Sequence, residues 1–186
     1  YAMVLAHLMA HFGMSTATAG LMGSLTLLAS AVGGVLFGML ADKFGRIKAL
    51  MGSILIYSVF TAACGLSQSL LQLAVFRVLL GLGMGGEWAT GAALVAETWP
   101  AEHRGKALGI MQSSWAIGYA LAAAITALVL PRLGWRGVFF VGILPALLTL
   151  GTKRDVEEPE IWRQTRKEIK RGAPRSSLAE IFRRPF

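Results

Sequence analysis

Charge is what this chain has least of. Only 15% of its 186 residues are Asp, Glu, Lys or Arg, against about 25% in a typical soluble domain. The shortage is concentrated: no charged residue occurs from Tyr1 to Ala41, from Ala49 to Phe76, from Ala107 to Pro131, or from Gly137 to Thr152. A hydrocarbon core about 30 Å thick needs roughly 20 apolar residues in helix, and these runs meet that need repeatedly. An ordinary soluble domain is excluded, and the composition points to an all-α, polytopic membrane helix bundle. Cysteine is almost absent too. Cys64 stands alone inside an apolar run, so no disulfide framework exists. No nucleophile–base set and no metal-ligand pattern is present. His7 and His11 share a helix face by their spacing, but without an HExxH pattern or a carboxylate they read as interfacial histidines. No metal or cofactor is expected, and an integral membrane enzyme is disfavoured. The first apolar run lacks the basic start of a signal peptide and is followed by further spans. It begins in apolar sequence at Tyr1, and is read as starting partway through a helix.

The charges that are present set the topology. The formal net charge of +8 would suggest nucleic acid in a soluble protein; here no nucleic-acid partner is expected. Turn signals and charge divide the chain into a partial first helix to about Ala10, a second from Ser15 or Thr16 to Ala41, and a third from Ile47 to Gly65. A fourth covers about Leu70 to Ala96, a fifth ends near Pro131, and "RLGWR" opens a sixth that fades near Thr152. Ser15 or Thr16 is placed to cap the second. The 42–48 loop carries Lys43, Arg46 and Lys48, the 97–106 loop carries Arg104 and Lys106, and the tail from Lys153 is strongly basic. The opposite loops hold only Arg132 and Arg136. Basic loops mark the cytoplasmic side, so the 42–48 loop and the tail are expected there. The reading gives a transmembrane bundle over 1–152 and a cytoplasmic linker over 153–186, largely solvated. Within that linker Ser177 and Glu180 form a capping-box pattern ahead of a short amphipathic helix.

One stretch, "RVLLGLGMGGEWATGAALVAE", allows two interpretations. Gly81, Gly83 and Gly86 satisfy the G-x-G-x-x-G pattern of a dinucleotide-binding loop. That chemistry needs a preceding buried strand and a βαβ unit, and the apolar flanks supply neither. In a membrane, small residues let helix backbones approach closely. Gly34 and Gly38 form such a pair in the second helix, and Gly81, Gly85 and Gly91 continue the theme here. Arg77 and Glu87 in the same span are more informative, because charges at bilayer depth are costly and face a bundle interior or a water-filled cavity. Ten residues put them about 15 Å apart along the axis and roughly 280° around it, so they do not pair with each other. Each needs a partner elsewhere: a fixed interhelical ion pair, or a substrate or proton. In the fifth helix, "QSSWAIGY" sets Gln112, Trp115 and Tyr119 near one face, a strip suited equally to a substrate wall or to interhelical hydrogen bonds.

Several motifs, in order, are similar to those of one family. "GMLADKFGRIK" resembles the loop between helices two and three of the major facilitator superfamily, and "FRVLLGLGMGGEW" its fourth-helix motif. "ETWPAEHRG" resembles the E-x-x-P-x-x-x-R-G loop of its sugar and metabolite porters. "GWRGVFF" and "VEEPEIW" resemble the start of its sixth helix and the tail beyond it, with Val156 where a proline is usual. The resemblance implies the amino-terminal six-helix half of a two-bundle transporter, with a truncated first helix and a carboxy-terminal half as partner. It implies a cytoplasmic gate of Asp42, Lys43, Gly45, Arg46, Glu97 and Arg104. It also implies a substrate and proton path along Arg77, Glu87, Trp88, Gln112, Trp115 and Tyr119, with Arg77 paired to a helix-one acid preceding Tyr1. The proline-containing fifth-helix signature of drug antiporters is absent from "WAIGYALAAAI", which favours symport or facilitation. "GGEW" and "AETWPAEHRGKALG" look nearest to proton symporters of sialic acids, aromatic acids and other carboxylates. The expected function is therefore secondary transport of a small organic acid with a proton across a bacterial inner membrane. A sugar porter is the alternative within transport; outside it stands a non-transporting scaffold or receptor. A faint echo of "FGR" at 44–46 in "LGWR" at 133–136, on opposite faces, fits an inverted repeat.

Overall fold

The computed structural model describes residues 1–152 and 158–170, and within them the chain is helical throughout. A single 3-10 turn leads into α1 (Leu5–Phe12), which ends on Gly13 in the left-handed region at φ 61°. Next come α2 (Thr16–Phe44), α3 (Arg46–Cys64) and α4 (Leu70–Thr98). After a second 3-10 turn follow α5 (Arg104–Val141), α6 (Leu144–Thr152) and α7 (Glu160–Lys170). Among the described residues four stretches are long and apolar enough to cross a membrane: Thr16–Phe44, Arg46–Cys64, Leu70–Thr98 and Ala101–Val141. Short polar side chains start the helices that follow open turns. Ser15 Oγ accepts from the Thr18 amide at 3.1 Å, and Ser69 Oγ from the Gln72 amide at 3.3 Å, each satisfying one of the first-turn donors that have no partner inside the helix.

One boundary differs from that read in the sequence, and another is sharpened. The 42–48 loop is hardly a loop, because α2 and α3 are both helical up to Gly45 and that single residue turns the chain at φ 121° and ψ 150°. The fifth helix ends near Pro131, as read, but not at the proline itself. It runs on through the proline and breaks at Gly134, whose φ of 65° and ψ of −173° lie where a side chain is strongly disfavoured. The sixth span is consequently in two pieces, 135–141 and then α6. A further helix, α7, occupies part of the stretch read as a solvated linker, while the capping-box pattern at Ser177 and Glu180 lies outside the described residues.

α4 is the centre of the bundle, packed along its length on both α2 and α3. Glycine makes this possible. A Cβ on Gly81 would stand 2.5 Å from the Thr26 carbonyl oxygen, one on Gly83 2.6 Å from the Tyr57 amide nitrogen, and one on Gly85 would overlap the Ser30 carbonyl. On the α2 side the matching residue is Gly33, which lies against the Leu82 carbonyl. A Cβ on Gly34 would be in ordinary contact with the Gly85 carbonyl oxygen at 3.6 Å, and one on Gly38 would meet nothing within 4 Å. The small-residue seam thus runs through Gly33 and Gly34, one position away from the spacing that singled out Gly38. Apolar side chains gather in two places. A larger cluster, including Leu8, Cys64, Leu73, Trp135 and Phe139, closes the end opposite the basic loops. A small one of Phe37, Ala41 and Ala49 lies near the basic end. α5 is almost bare along its apolar length.

Candidate functional site

The basic end of the bundle is tied by one guanidinium. Arg46, the first residue of α3, directs Nε to both carboxylate oxygens of Glu97 at 2.9 and 3.1 Å, and Nη2 to Glu97 Oε1 at 2.7 Å. Its Nη1 bonds the Asp42 carboxylate in the last turn of α2. Three helix ends therefore meet on one side chain. The two acids are not equivalent: the Arg46 and Glu97 side chains are 16% and 19% exposed, whereas Asp42 is 72% exposed. Screening leaves little of an exposed pair, about 0–1 kcal/mol, so Glu97 is the stronger anchor.

Helix-end electrostatics explain a second layer that sequence reading missed. An arginine at an α-helix N-terminus opposes the macrodipole, and an acid near a C-terminus does the same. The Glu158 carboxylate corrects the first, accepting from the Ile47 and Lys48 amides at 3.1 and 3.3 Å. It fits because residue 45 is glycine; a Cβ there would overlap the carboxylate. Trp162 Nε1 donates to the Asp42 carbonyl and Arg166 Nη1 to the Lys43 carbonyl, each at 3.1 Å, capping the end of α2. Glu158, Trp162 and Arg166 are four apart, one face of a helix and its N-terminal approach. That spacing was the available signal, but nothing local says what the face would meet. Two residues assigned to the gate stand apart from the ion cluster. Exposed Arg104 donates through Nε to the Trp99 carbonyl at 3.1 Å, and Lys43 Nζ sits 5.2 Å from its neighbour Phe44's ring centroid.

Within the membrane-spanning part, Arg77 is 6% exposed. Its guanidinium stacks on the Tyr1 ring at 3.6 Å, and Nε reaches the Met22 carbonyl at a long 3.4 Å. The Tyr1 hydroxyl is in turn held by the Ala19 carbonyl at 3.0 Å. Among the described residues no carboxylate pairs with Arg77. A guanidinium carries five donors, and of these the Met22 carbonyl meets one, at long range. Glu87 is half-buried on another flank of α4; its carbonyl accepts from Thr90 Oγ1 at 3.4 Å, and among the described residues its carboxylate pairs with no cation. Arg77 and Glu87 do not meet. Trp88 is 51% exposed. On α5, Trp115 and Tyr119 stack with centroids 5.8 Å apart, and Gln112 precedes them on the open surface. One turn pattern further along, Thr126 on the same face meets Met3 at 3.6 Å, so the strip lies on the side of α5 that approaches the first helix. His7 and His11 are exposed; the His11 ring packs on Phe12 and Trp135. Among the described residues no group of three or more His, Cys, Asp or Glu could hold a metal.

Comparison with known proteins bears on what this arrangement serves. The family model for the Major Facilitator Superfamily matches residues 1–186. A probable 4-methylmuconolactone transporter of Cupriavidus pinatubonensis is 40% identical over 179 residues, covering 94% of this chain and 41% of the relative. A sialic acid transporter of Escherichia coli is 36% identical over 176 residues, covering 95% and 42%. The fold is similar to that of the xylose transporter XylE from E. coli in a partially occluded inward-open conformation, with a TM-score of 0.76, 22% identity, and coverage of 88% of this chain and 45% of that one. The chain spans about two fifths of the length of the curated relatives it matches.

Proposed function

The chain belongs to the major facilitator superfamily, a family of integral membrane transporters, and on that premise we propose that it is the amino-terminal bundle of a proton-coupled symporter for a small organic acid. Two bundles, this one and a carboxy-terminal half, would rock about a site between them. The observation that carries the reading is Arg77: a buried guanidinium at bilayer depth, stacked on Tyr1, is suited to hold an acidic partner or the solute's carboxylate. Transport of related acids by relatives of 36–40% identity supports it. Trp88, Gln112, Trp115 and Tyr119 would form the wall against which the solute's apolar body lies. Glu87, on a separate flank, would carry the proton, which keeps the proton and the solute charge from neutralising one another. Asp42, Gly45, Arg46 and Glu97, backed by α7, would close the cytoplasmic side, with Lys43 and Arg104 at its margin. The 42–48 turn and the 153–186 segment would then face the cytoplasm of a bacterial cell.

The test is uptake by the full-length parent in proteoliposomes. A radiolabelled organic acid should accumulate under an inward proton gradient. Arg77→Gln should raise its half-saturating concentration about tenfold or more, the loss of a charge-assisted hydrogen bond. Glu87→Gln should abolish dependence on the gradient. Unchanged proton-driven uptake in Glu87→Gln would refute the proton assignment, and uptake of a neutral sugar uncompeted by carboxylates would replace the organic acid with a sugar.

A further inference from the structure

Arg136 is an arginine whose part in the bundle the transport reading leaves unused. It follows the Gly134 break directly, and that break aims it across the bundle at the far end of α3. Its Nε donates to the Gly65 carbonyl at 3.1 Å and its Nη2 to the Ser67 carbonyl at 3.0 Å. Both carbonyls lie just past Cys64, the last residue of α3, at the helix end that carries partial negative charge, so a forked cation answers two acceptors and that charge at once. The guanidinium is also 4.5 Å from the ring centroid of Trp135, which is buried in the cluster with Cys64 and Leu73. At the other end of α3 the Glu158 carboxylate meets the first amides. The helix is thus held at both ends by the sign its dipole requires, from residues that flank α6.

The α3 end that Arg136 grips also forms part of the seat of Arg77. Ser67 Oγ donates to the Cys64 carbonyl at 2.7 Å, and Cys64 is fully buried in the apolar cluster at that end. Tyr1, which carries the Arg77 guanidinium, packs against the same cluster. We propose that Arg136 is a positioning residue for Arg77: by clamping the Gly65 and Ser67 carbonyls it fixes the end of α3 against which Tyr1 and Arg77 are seated. The inference rests on the proposed transport role of Arg77 for its functional consequence, and on the clamp geometry alone for its structural one.

Cys64 provides a reporter that does not depend on transport. In the full-length parent, with Cys64 as the only cysteine, N-ethylmaleimide should label it slowly. Arg136→Gln keeps a donor but loses the charge and the fork; it should raise the labelling rate about tenfold, as expected when a charged hydrogen bond to a helix end is lost. Arg136→Lys should fall between. Gly65→Ala, whose Cβ would stand 3.0 Å from the Arg136 backbone carbonyl oxygen, should push the backbone at Arg136 away from the α3 end, pulling on the guanidinium clamp with its charge intact, and raise labelling too. It decides the matter should Arg136→Gln fail to fold. The half-saturating concentration for the organic acid should rise in the same order as labelling, with a smaller change in maximal rate. Unchanged labelling in the folded variants overturns the clamp. Faster labelling with an unchanged half-saturating concentration overturns the link to Arg77. Absence of any organic-acid uptake by the parent refutes the proposed function, while the labelling rates still decide the clamp.

Discussion

The ion cluster at the basic end ranks its two acids in an order that mutation can test. Glu97 is met by three hydrogen bonds from a largely covered guanidinium, and Asp42 by one in open solvent. Glu97→Gln retains one acceptor oxygen but removes the charge that Arg46 was desolvated to meet. A hydrogen bond to a charged partner contributes about 1.5–3 kcal/mol, against about 1 for a neutral one. The loss should therefore be about 1–2 kcal/mol, a five- to thirtyfold change in an equilibrium constant. Asp42→Asn should shift the same equilibrium by about fivefold at most, since exposed pairs are worth about 0–1 kcal/mol. Pulsed electron resonance between spin labels on the basic ends of the two halves of the full-length parent would read the populations of states open and closed at that end. Glu97→Gln should shift them toward open far more than Asp42→Asn does. Equal shifts from the two substitutions would refute the burial argument, and a larger one from Asp42→Asn would invert it.

Two further outcomes follow from backbone geometry. Gly45→Ala should loosen α7 and destabilise the parent by about 1–3 kcal/mol, because it strains a left-handed residue and displaces the Glu158 carboxylate; faster proteolysis beyond residue 152 and a lower melting temperature would register it. Gly85→Ala should strongly destabilise the solubilised parent by driving a methyl into the Ser30 carbonyl, whereas Gly38→Ala, with open space around it, should be neutral or stabilising by up to about 1 kcal/mol, the propensity difference. Equal melting temperatures for those two variants would contradict the seam.

Much of this architecture could be read from the chain because the bilayer imposes a coarse rule. Charge-free runs long enough to cross it became the long helices, and Ser15 caps α2 as its position suggests. Asp42, Arg46 and Glu97, placed at span ends on the same side by charge counting, are neighbours in space. What failed to show in sequence were choices made by partners far along the chain. Spacing finds small residues at Gly34 and Gly38 but cannot tell which side of α2 meets α4, and the answer is set by Gly33 and Gly34. The end of the fifth helix near Pro131 was legible, but which residue turns the chain was not: the proline stays in the helix, and the change of direction needs the positive φ of Gly134 three residues on. Glu158, Trp162 and Arg166 carry an i, i+4, i+8 pattern of mixed chemistry whose meaning depends on carbonyls and amides more than a hundred residues away. Arg104 occurs in the expected motif but bonds its own turn at Trp99, a local alternative that spacing does not weigh.

The seam between α2 and α4 limits where deformation is available. Interfaces padded by long side chains absorb shear through rotamer changes, but backbone against backbone has no such slack: any slide must open a void or close a clash. Those two helices and α3 beside them should consequently travel as one stiff plate, leaving bending to α5, of which little is buried among the described residues. If this protein changes shape, the plate supplies the lever and α5 the compliance.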